Sequence, residues 1–259
     1  MPKQVGPAHR EILPELGVVK SARSMFVRAL AVWLLLTTTA VTVVTWKNPK
    51  MRAVLGMGWG LILLWIGVGG ALMYRFREPI RAMVLKMGLD WRLKFILFAT
   101  GLALTEEAIT TTLTNLAPLF GVKIGEAYIT ASTNYLDVVA LHSVVMFVPL
   151  FVGWALILSR YAFTPFSVFL LFGLTGTAME TNLGLKNPLE FGLWIFVYGL
   201  MVFLPAYCVP VRPTRPLLWW HYPLAVFVPF LFILIVPLPL LAGLICPHHP
   251  KIHFPPIGH

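Results

Sequence analysis

The chain has 259 residues, of which 58% are hydrophobic and 12% are charged, and its formal net charge is +10. A soluble domain carries about 25% charged residues. A chain this apolar cannot cover its own surface for water. The composition therefore excludes a water-soluble protein and predicts an integral membrane protein whose first partner is the lipid bilayer.

Seven apolar runs are each long enough, as helices, to cross the hydrocarbon core of a bilayer. With soft boundaries they occupy 25–45, 54–74, 94–115, 138–158, 162–183, 191–210 and 223–245. Backbone polar groups in lipid are satisfied by helices or by closed barrels, and these runs lack the alternation of barrel strands. We therefore predict an all-α, polytopic bundle of about seven spanning helices over 25–245. An inner segment, 1–24, precedes it, and an outer tail rich in His and Pro, 246–259, follows it.

The basic residues are distributed as a topology signal. Fourteen of the 20 lysines and arginines lie in the N-terminal segment and in the connectors that would share its side of the membrane. The positive-inside rule then places the N-terminus inside, in the cytoplasm, and the C-terminus outside. This distribution accounts for the charge, so no nucleic-acid partner is predicted.

One inner connector, "REPIRAMVLKMGLDWRLK" at 77–94, has apolar residues at helical spacing with basic residues around them. The pattern predicts an amphipathic helix on the inner leaflet. The alternative is a solvated connector that carries ordinary positive-inside charge.

The third apolar run contains "LTEEAITTT", residues 104–112, which puts Glu106 and Glu107 at membrane depth. A charged carboxylate near the bilayer centre costs about 2.5–3.5 kcal/mol on insertion scales, and such residues generally face the protein interior and serve a function. Ala103 and Thr111 lie four residues before and after Glu107, whereas Leu102 precedes Glu106 at the same spacing. We expect Glu107 to face the bundle and Glu106 to lie at the edge of a pocket.

Two later runs carry further polar side chains. "NYLDVVALH", at 134–142, contains Asp137 and His142, and "GTAMETN", at 176–182, contains Glu180 and Asn182. Because the third and fifth runs cross outward and the fourth returns, the topology brings four side chains into the outer half of the bilayer: Glu106, Glu107, His142 and Glu180. The alternative reading is helix packing through hydrogen bonds, which contribute about 0.6 kcal/mol each.

A Glu-Glu pair in one spanning helix, followed by a His and then a Glu-Asn motif, resembles the CAAX-protease and bacteriocin-processing superfamily and the similar PrsW-like intramembrane proteases. "EEAIT" supplies Glu106 and Glu107, and "VVALH" supplies His142. "GTAMETN" resembles the Gly-Phe-Ala-x-x-Glu-Asn stretch of the glutamate-type relatives. Threonines stand where those families have Arg or Lys after the glutamates, Val138 replaces an aromatic residue, and no His-xxx-Asn motif follows.

The resemblance implies an intramembrane hydrolase with five candidate catalytic residues: Glu106, Glu107, His142, Glu180 and Asn182. One of the paired glutamates would activate a water as general base, His142 would stabilise the oxyanion, and Glu180 with Asn182 would position the water. The cofactor is unknown. A divalent metal ion is the alternative activator of the water, with four ligands: Glu106, Glu107, His142 and Glu180. Mixed oxygen and nitrogen ligands admit zinc, iron, manganese or copper.

A non-enzymatic alternative is a multi-span subunit of a larger membrane complex, with membrane subunits as partners. Its polar cluster would pack helices, bind a cation or relay protons. The departures from the protease motifs favour this alternative, whereas the paired glutamates favour the hydrolase. A cation-coupled transporter is less favoured because no internal repeat is visible.

The tail "CPHHPKIHFPPIGH", 246–259, contains four histidines. A His-rich tract can bind metal. The interleaved prolines argue against a preformed metal cage, so the tail is not predicted to be part of the site.

Overall fold

The computed structural model describes residues 8–180, 188–235, 249–255 and 257. Helix accounts for 77% of the structure and no strand forms among the described residues, so the predicted all-α class is confirmed. The α-helices of the described chain are α1 (Ala8–Thr45), α2 (Pro49–Leu61), α3 (Gly70–Arg75), α4 (Arg77–Lys86), α5 (Trp91–Asn115), α6 (Tyr135–Asp137), α7 (Val144–Arg160), α8 (Pro165–Glu180), α9 (Phe191–Tyr207) and α10 (His221–Ile235). Two π-helical turns, Ile62–Gly69 and Val138–His142, join α2 to α3 and extend α6.

The first two predicted spans coincide with long helices. Ala22–Thr45, within α1, and Pro49–Arg75, from α2 through α3, are each long and apolar enough to cross a membrane. Asn48 starts the second of them: its side-chain oxygen accepts hydrogen bonds from two backbone N–H groups of the first turn, at 3.0 and 3.2 Å, as an N-cap does. From residue 8 onward the predicted inner segment, 1–24, is continuous with the first span, because α1 runs through it unbroken.

The other predicted spans overlap helices of different length or shape. Tyr135–His142 and Val144–Arg160 together make a third candidate span, which is bent by 47°. α5 has 25 residues and carries the glutamate pair. The described parts of α8, α9 and α10 are apolar but shorter, with 16, 17 and 15 residues. By length and composition, the described residues therefore contain two helices that could cross a membrane, or three with the bent pair, and they support membrane association.

Helix α4 occupies the first half of the segment predicted to be amphipathic. Val84 is buried in the core, whereas Met83 and Met87 are exposed. Lys94, at the start of α5, donates from Nζ to the Val84 carbonyl at 2.9 Å, which fastens the end of α4 to α5.

Helices α8 and α9 pack against each other at small residues. An added Cβ would lie 2.7 Å from the Ile195 backbone at Gly173, and 2.6 Å from the Phe169 ring at Gly199. Small residues that allow backbones to approach are the usual device of helix packing in membranes. The buried Trp65 joins the π-helical turn to this pair, since its indole Nε1 donates to a carbonyl of α9 at 3.0 Å.

Polar contacts gather several connectors at one end of the bundle, which we call the basic end. Arg92 donates from Nε to Ser159 Oγ at 2.7 Å, and the backbone N–H of Arg215 donates to the Arg160 carbonyl at 2.8 Å. These bonds join the start of α5, the end of α7 and the connector after α9. Helix α5 begins at the basic end and rises about 1.5 Å per residue, so Asn115 and the loop that follows lie at the opposite end.

Candidate functional site

Glu106 and Glu107 lie in the second half of α5 and are both buried, with 5% and 7% of their surface exposed. Glu106, which the sequence predicted to lie at the edge of a pocket, is as deeply buried as Glu107. Its own side of the helix continues through Thr110 and Leu113, which are buried as well. Neighbouring elements therefore cover both faces of the helix around the pair.

Two elements meet at the carboxyl group of Glu107. The Thr110 hydroxyl donates to Glu107 Oε2 at 3.3 Å, from one turn further along α5. Ser143, on the bend before α7, lies beside the same carboxyl group, and its hydroxyl donates to the Val138 carbonyl at 3.1 Å. Glu107 is thus fixed at the contact between α5 and that bend.

The third glutamate, Glu180, ends the described part of α8. It is more exposed than the other two. Its Oε1 accepts a hydrogen bond from the Tyr198 hydroxyl of α9. Gly176 makes this geometry feasible: an added Cβ there would lie 2.1 Å from the Tyr198 ring. A side chain at that position would push the ring away from α8.

One cavity of about 910 Å³ connects these groups. Its polar lining includes Glu106, Glu107, Glu180, His142 and Tyr198. The four side chains expected to meet from topology therefore line one space. The rest of the lining is largely apolar and includes Leu34, Ile62, Met146, Phe147 and Trp194.

The element that carries His142 is a broken helix. Asn134 caps α6 by accepting from the Leu136 N–H at 3.0 Å. The Ser143 N–H then donates to the Val138 carbonyl at 2.9 Å, a bond across five residues that closes a π-helical turn. In an α-helix, residues five apart point about 140° away from each other. The wider turn instead puts His142 Nε2 3.5 Å from Asp137 Oδ2, and such π turns are frequent at functional sites.

Two histidines of the tail complete a cluster around this pair. His249 Nε2 lies 2.8 Å from Asp137 Oδ1 and 3.3 Å from His142 Nε2. His253 Nε2 lies 3.0 Å from Asp137 Oδ2 and 3.1 Å from His249 Nε2. One potential ligand atom from each of these four residues lies within 4.8 Å of all the others. We call this set the His/Asp cluster.

The tail segment, residues 249–255, is held against the loop 116–134. The backbone N–H of His253 donates to the Ala131 carbonyl at 2.9 Å. The rings of Phe254 and Tyr128 stack with centroids 4.7 Å apart. The loop is in turn fixed to α5, because Thr114 Oγ accepts from the Ile129 N–H at 3.2 Å.

The structure divides the predicted site residues into two groups. The three glutamates face the cavity, whereas His142 lines the cavity and directs its Nε2 toward Asp137 and the tail. Asn182 lies outside the described residues. Sequence reasoning noted Asp137 only as a neighbour of His142 and left out His249 and His253. The sequence held one signal for this cluster, the spacing of its members. Asp137 and His142 are five residues apart, and His249 and His253 are four residues apart.

Comparisons with protein-family models, with curated proteins and with solved structures gave no match to this chain. Fold and site alone define its class. It is an all-helical, membrane-associated protein with a cavity lined by four glutamates, Glu106, Glu107, Glu180 and Glu190, and by mostly apolar side chains, which adjoins a cluster of three histidines and an aspartate.

Proposed function

We propose that the protein is an integral membrane hydrolase that cleaves an acyl bond of an apolar substrate, a peptide bond in the first instance. One observation carries the proposal. Glu106, Glu107 and Glu180 share a cavity of about 910 Å³, and among the described residues none of the three forms an ion pair with lysine or arginine.

A role in helix packing alone explains this arrangement poorly. Placing a carboxylate at membrane depth costs about 2.5–3.5 kcal/mol. An interhelical hydrogen bond contributes only about 0.6 kcal/mol on average. Helix packing therefore does not offset the cost of two adjacent buried glutamates, whereas a catalytic role gives a reason to keep them.

In the proposed reaction Glu107 is the general base. It takes a proton from a water molecule in the cavity while the water oxygen bonds to the substrate carbonyl carbon. The carbon–nitrogen bond then breaks, and Glu107 returns the proton to the leaving amine. Thr110 orients the Glu107 carboxyl group by hydrogen bonding. His142 is not assigned the expected role of stabilising the oxyanion, because its Nε2 is directed at Asp137 and His249.

The surroundings of the carboxyl groups suggest the substrate class. Leucine, isoleucine, methionine, phenylalanine and tryptophan side chains make up much of the lining. A site with mostly apolar walls and a few converging polar groups suits a hydrophobic segment positioned at one bond. We therefore propose an apolar peptide, cleaved at membrane depth, as the substrate.

The membrane arrangement belongs to the same proposal. The chain would cross about seven times with its N-terminus in the cytoplasm and its C-terminus outside. In support, the basic end unites connectors that the positive-inside rule assigns to one side: Arg92, Arg160 and Arg215. Helix α4, with Met83 and Met87 exposed, would lie on the inner leaflet.

The test uses purified protein in proteoliposomes and a library of apolar peptides. Products are read by mass spectrometry in water enriched in oxygen-18, which labels the new carboxyl terminus only if hydrolysis occurs. Glu107→Gln should lower the rate by about 10²–10⁴-fold, the usual contribution of a general base. Glu126→Gln, in the exposed loop, is the matched control and should retain activity. If Glu106→Gln is defective and Glu107→Gln is not, the reaction stands but the base is Glu106.

A specific observation favours the alternative of a non-enzymatic subunit. The segment Ala22–Thr45 of α1 is long enough to cross a membrane, but only 11% of its 18-residue apolar stretch is buried against the rest of the chain. A helix covered this little by its own chain has room for a partner membrane subunit. A stoichiometric partner that persists through purification, with no labelled peptide product, would establish the subunit and refute the hydrolase.

A further inference from the structure

We infer that a zinc-class divalent metal ion fastens the tail segment across the cavity, held by four side chains: Asp137, His142, His249 and His253. Only His142 is shared with the ligand set expected from the sequence, in which the other three ligands are Glu106, Glu107 and Glu180. The inference stands apart from the proposed hydrolysis, because a non-enzymatic subunit could bind the same ion in the same place.

The distances within the His/Asp cluster are close to those of a tetrahedral site, and three of them are somewhat shorter. Zinc binds imidazole nitrogen and carboxylate oxygen at about 2.0–2.2 Å, so the donors of a tetrahedron lie about 3.3–3.6 Å apart. Three distances join the Asp137 carboxylate to a histidine Nε2, and two join one histidine Nε2 to another. All five fall between 2.8 and 3.5 Å. A small contraction or expansion around one centre would make all four donors ligands.

Hydrogen bonding alone does not account for the cluster. His249 Nε2 approaches three atoms within 3.3 Å: His142 Nε2, His253 Nε2 and Asp137 Oδ1. A ring nitrogen either donates through its one hydrogen or accepts through its one lone pair. Three simultaneous contacts of this kind are better explained by nitrogens that converge on a shared ion.

The aspartate provides a second, independent observation. Asp137 Oδ2 is buried, and among the described residues no donor is aligned well enough to form a hydrogen bond of regular geometry to it. Two ring nitrogens nevertheless lie 3.0 and 3.5 Å away, those of His253 and His142. A buried carboxylate oxygen without a donor is costly, and a metal ion at the centre of the cluster would satisfy it.

The donor set defines the chemical class of the ion. Three imidazoles and a carboxylate suit zinc and its neighbours in the first transition row, and they disfavour calcium and magnesium, which prefer oxygen ligands. Four protein ligands fill the coordination of zinc, which is typical of structural sites, whereas catalytic sites keep a position for water. The ion is therefore assigned to holding the fold and not to activating water.

The position of the tail shows what the ion would hold. Lys251 and Ile252 lie between the two tail histidines and line the cavity. His142 is next to Ser143, which approaches Glu107. Metal binding would thus fix the tail across the cavity and brace the bend that faces the buried carboxyl groups.

The experiment begins with detergent-purified protein stripped by a chelator, desalted and titrated with zinc chloride. Elemental analysis should give one zinc per chain, and cobalt substitution should give the intense visible absorption of a tetrahedral site. His249→Ala and His253→Ala should each weaken zinc binding by more than about 100-fold, because even outer partners of a metal ligand contribute about 10–100-fold. His249 is partly buried and His253 is exposed, and size-exclusion chromatography verifies the fold of both variants.

Two control variants locate the ion. Lys251→Ala changes the same tail without removing a ligand, and Glu107→Gln changes the carboxylate set expected from the sequence; both should bind zinc as the wild type does. Trypsin cleavage after Lys251 should accelerate when the metal is removed from the wild type and should be fast with or without zinc in His253→Ala. Wild-type protein that binds no zinc, or tail variants that bind it with unchanged affinity, would overturn the inference. Loss of zinc in Glu107→Gln would also overturn it, by assigning the ion to the glutamates.

Discussion

His142 Nε2 lies 3.3 Å from His249 Nε2, although 107 positions separate the two residues in the chain. One histidine ends a π-helical turn in the bundle, and the other belongs to the tail. The next residue after His142 is Ser143, which approaches Glu107. This short path relates the two polar groups of the molecule, the His/Asp cluster and the buried glutamates.

The contact between α8 and α9 should be intolerant of a side chain at Gly176. We expect Gly176→Leu to displace the Tyr198 ring and to break its hydrogen bond to Glu180, since even a Cβ would lie 2.1 Å from that ring. Overpacking of this kind costs about 1–3 kcal/mol, to be measured as a lower melting temperature in detergent. Gly101→Ala is the control, because nothing lies within 4 Å of its added Cβ. Equal melting temperatures for Gly176→Leu and the wild type would contradict this packing.

Zinc binding should depend strongly on pH. Imidazole ligates only when neutral, so protons compete with zinc for the ring nitrogens as the pH falls. A site with three histidines displaces more than one proton at acid pH, so its zinc affinity should fall by more than tenfold per pH unit. Isothermal titration with zinc chloride between about pH 5 and pH 7.5 measures the slope. A fall in zinc affinity no steeper than tenfold per pH unit, which corresponds to one proton, would contradict a site with three histidines.

The stacked pair Tyr128 and Phe254 should assist tail docking without contacting the metal. Their centroids are 4.7 Å apart, and an aromatic pair contributes about 0.5–1.5 kcal/mol beyond its buried area. Phe254→Ala should therefore weaken zinc affinity by roughly two- to tenfold, with the cobalt spectrum unchanged in shape. Tyr128→Ala should have a similar effect, and the double variant should be no worse than additive. A changed cobalt spectrum in either single variant would show that the pair acts on the coordination itself.

The two termini should be accessible from opposite sides of the membrane. Cysteines are placed at positions 3 and 258 in a background that lacks Cys208 and Cys246, and are labelled in intact cells with a reagent that cannot cross the bilayer. We expect position 258 to react from outside and position 3 to react only after lysis, as the distribution of basic residues predicts. Labelling of both from one side would refute the odd number of crossings.

The helical part of the fold is largely readable from the sequence. Uniformly apolar runs have few other ways to satisfy their backbone in lipid, and each of the seven runs overlaps a helix. Glu106 and Glu107 were recognised for a similar reason, since a buried carboxylate is costly wherever the helix is placed. The relative exposure of the two could not be read from helical spacing. It depends on which neighbours cover α5 on each side.

The His/Asp cluster depended on tertiary structure at each step. Asp137 and His142 would point apart on an α-helix, and only the π-helical turn between them brings them together. The prolines of the tail argued against a metal cage, yet hydrogen bonding and ring stacking to the loop hold the tail where His249 and His253 reach the bend. Composition and periodicity act locally and so determined the helical, membrane-associated class. A site built from a helix defect and a distant tail depends on long-range contacts, so only the folded chain decided it.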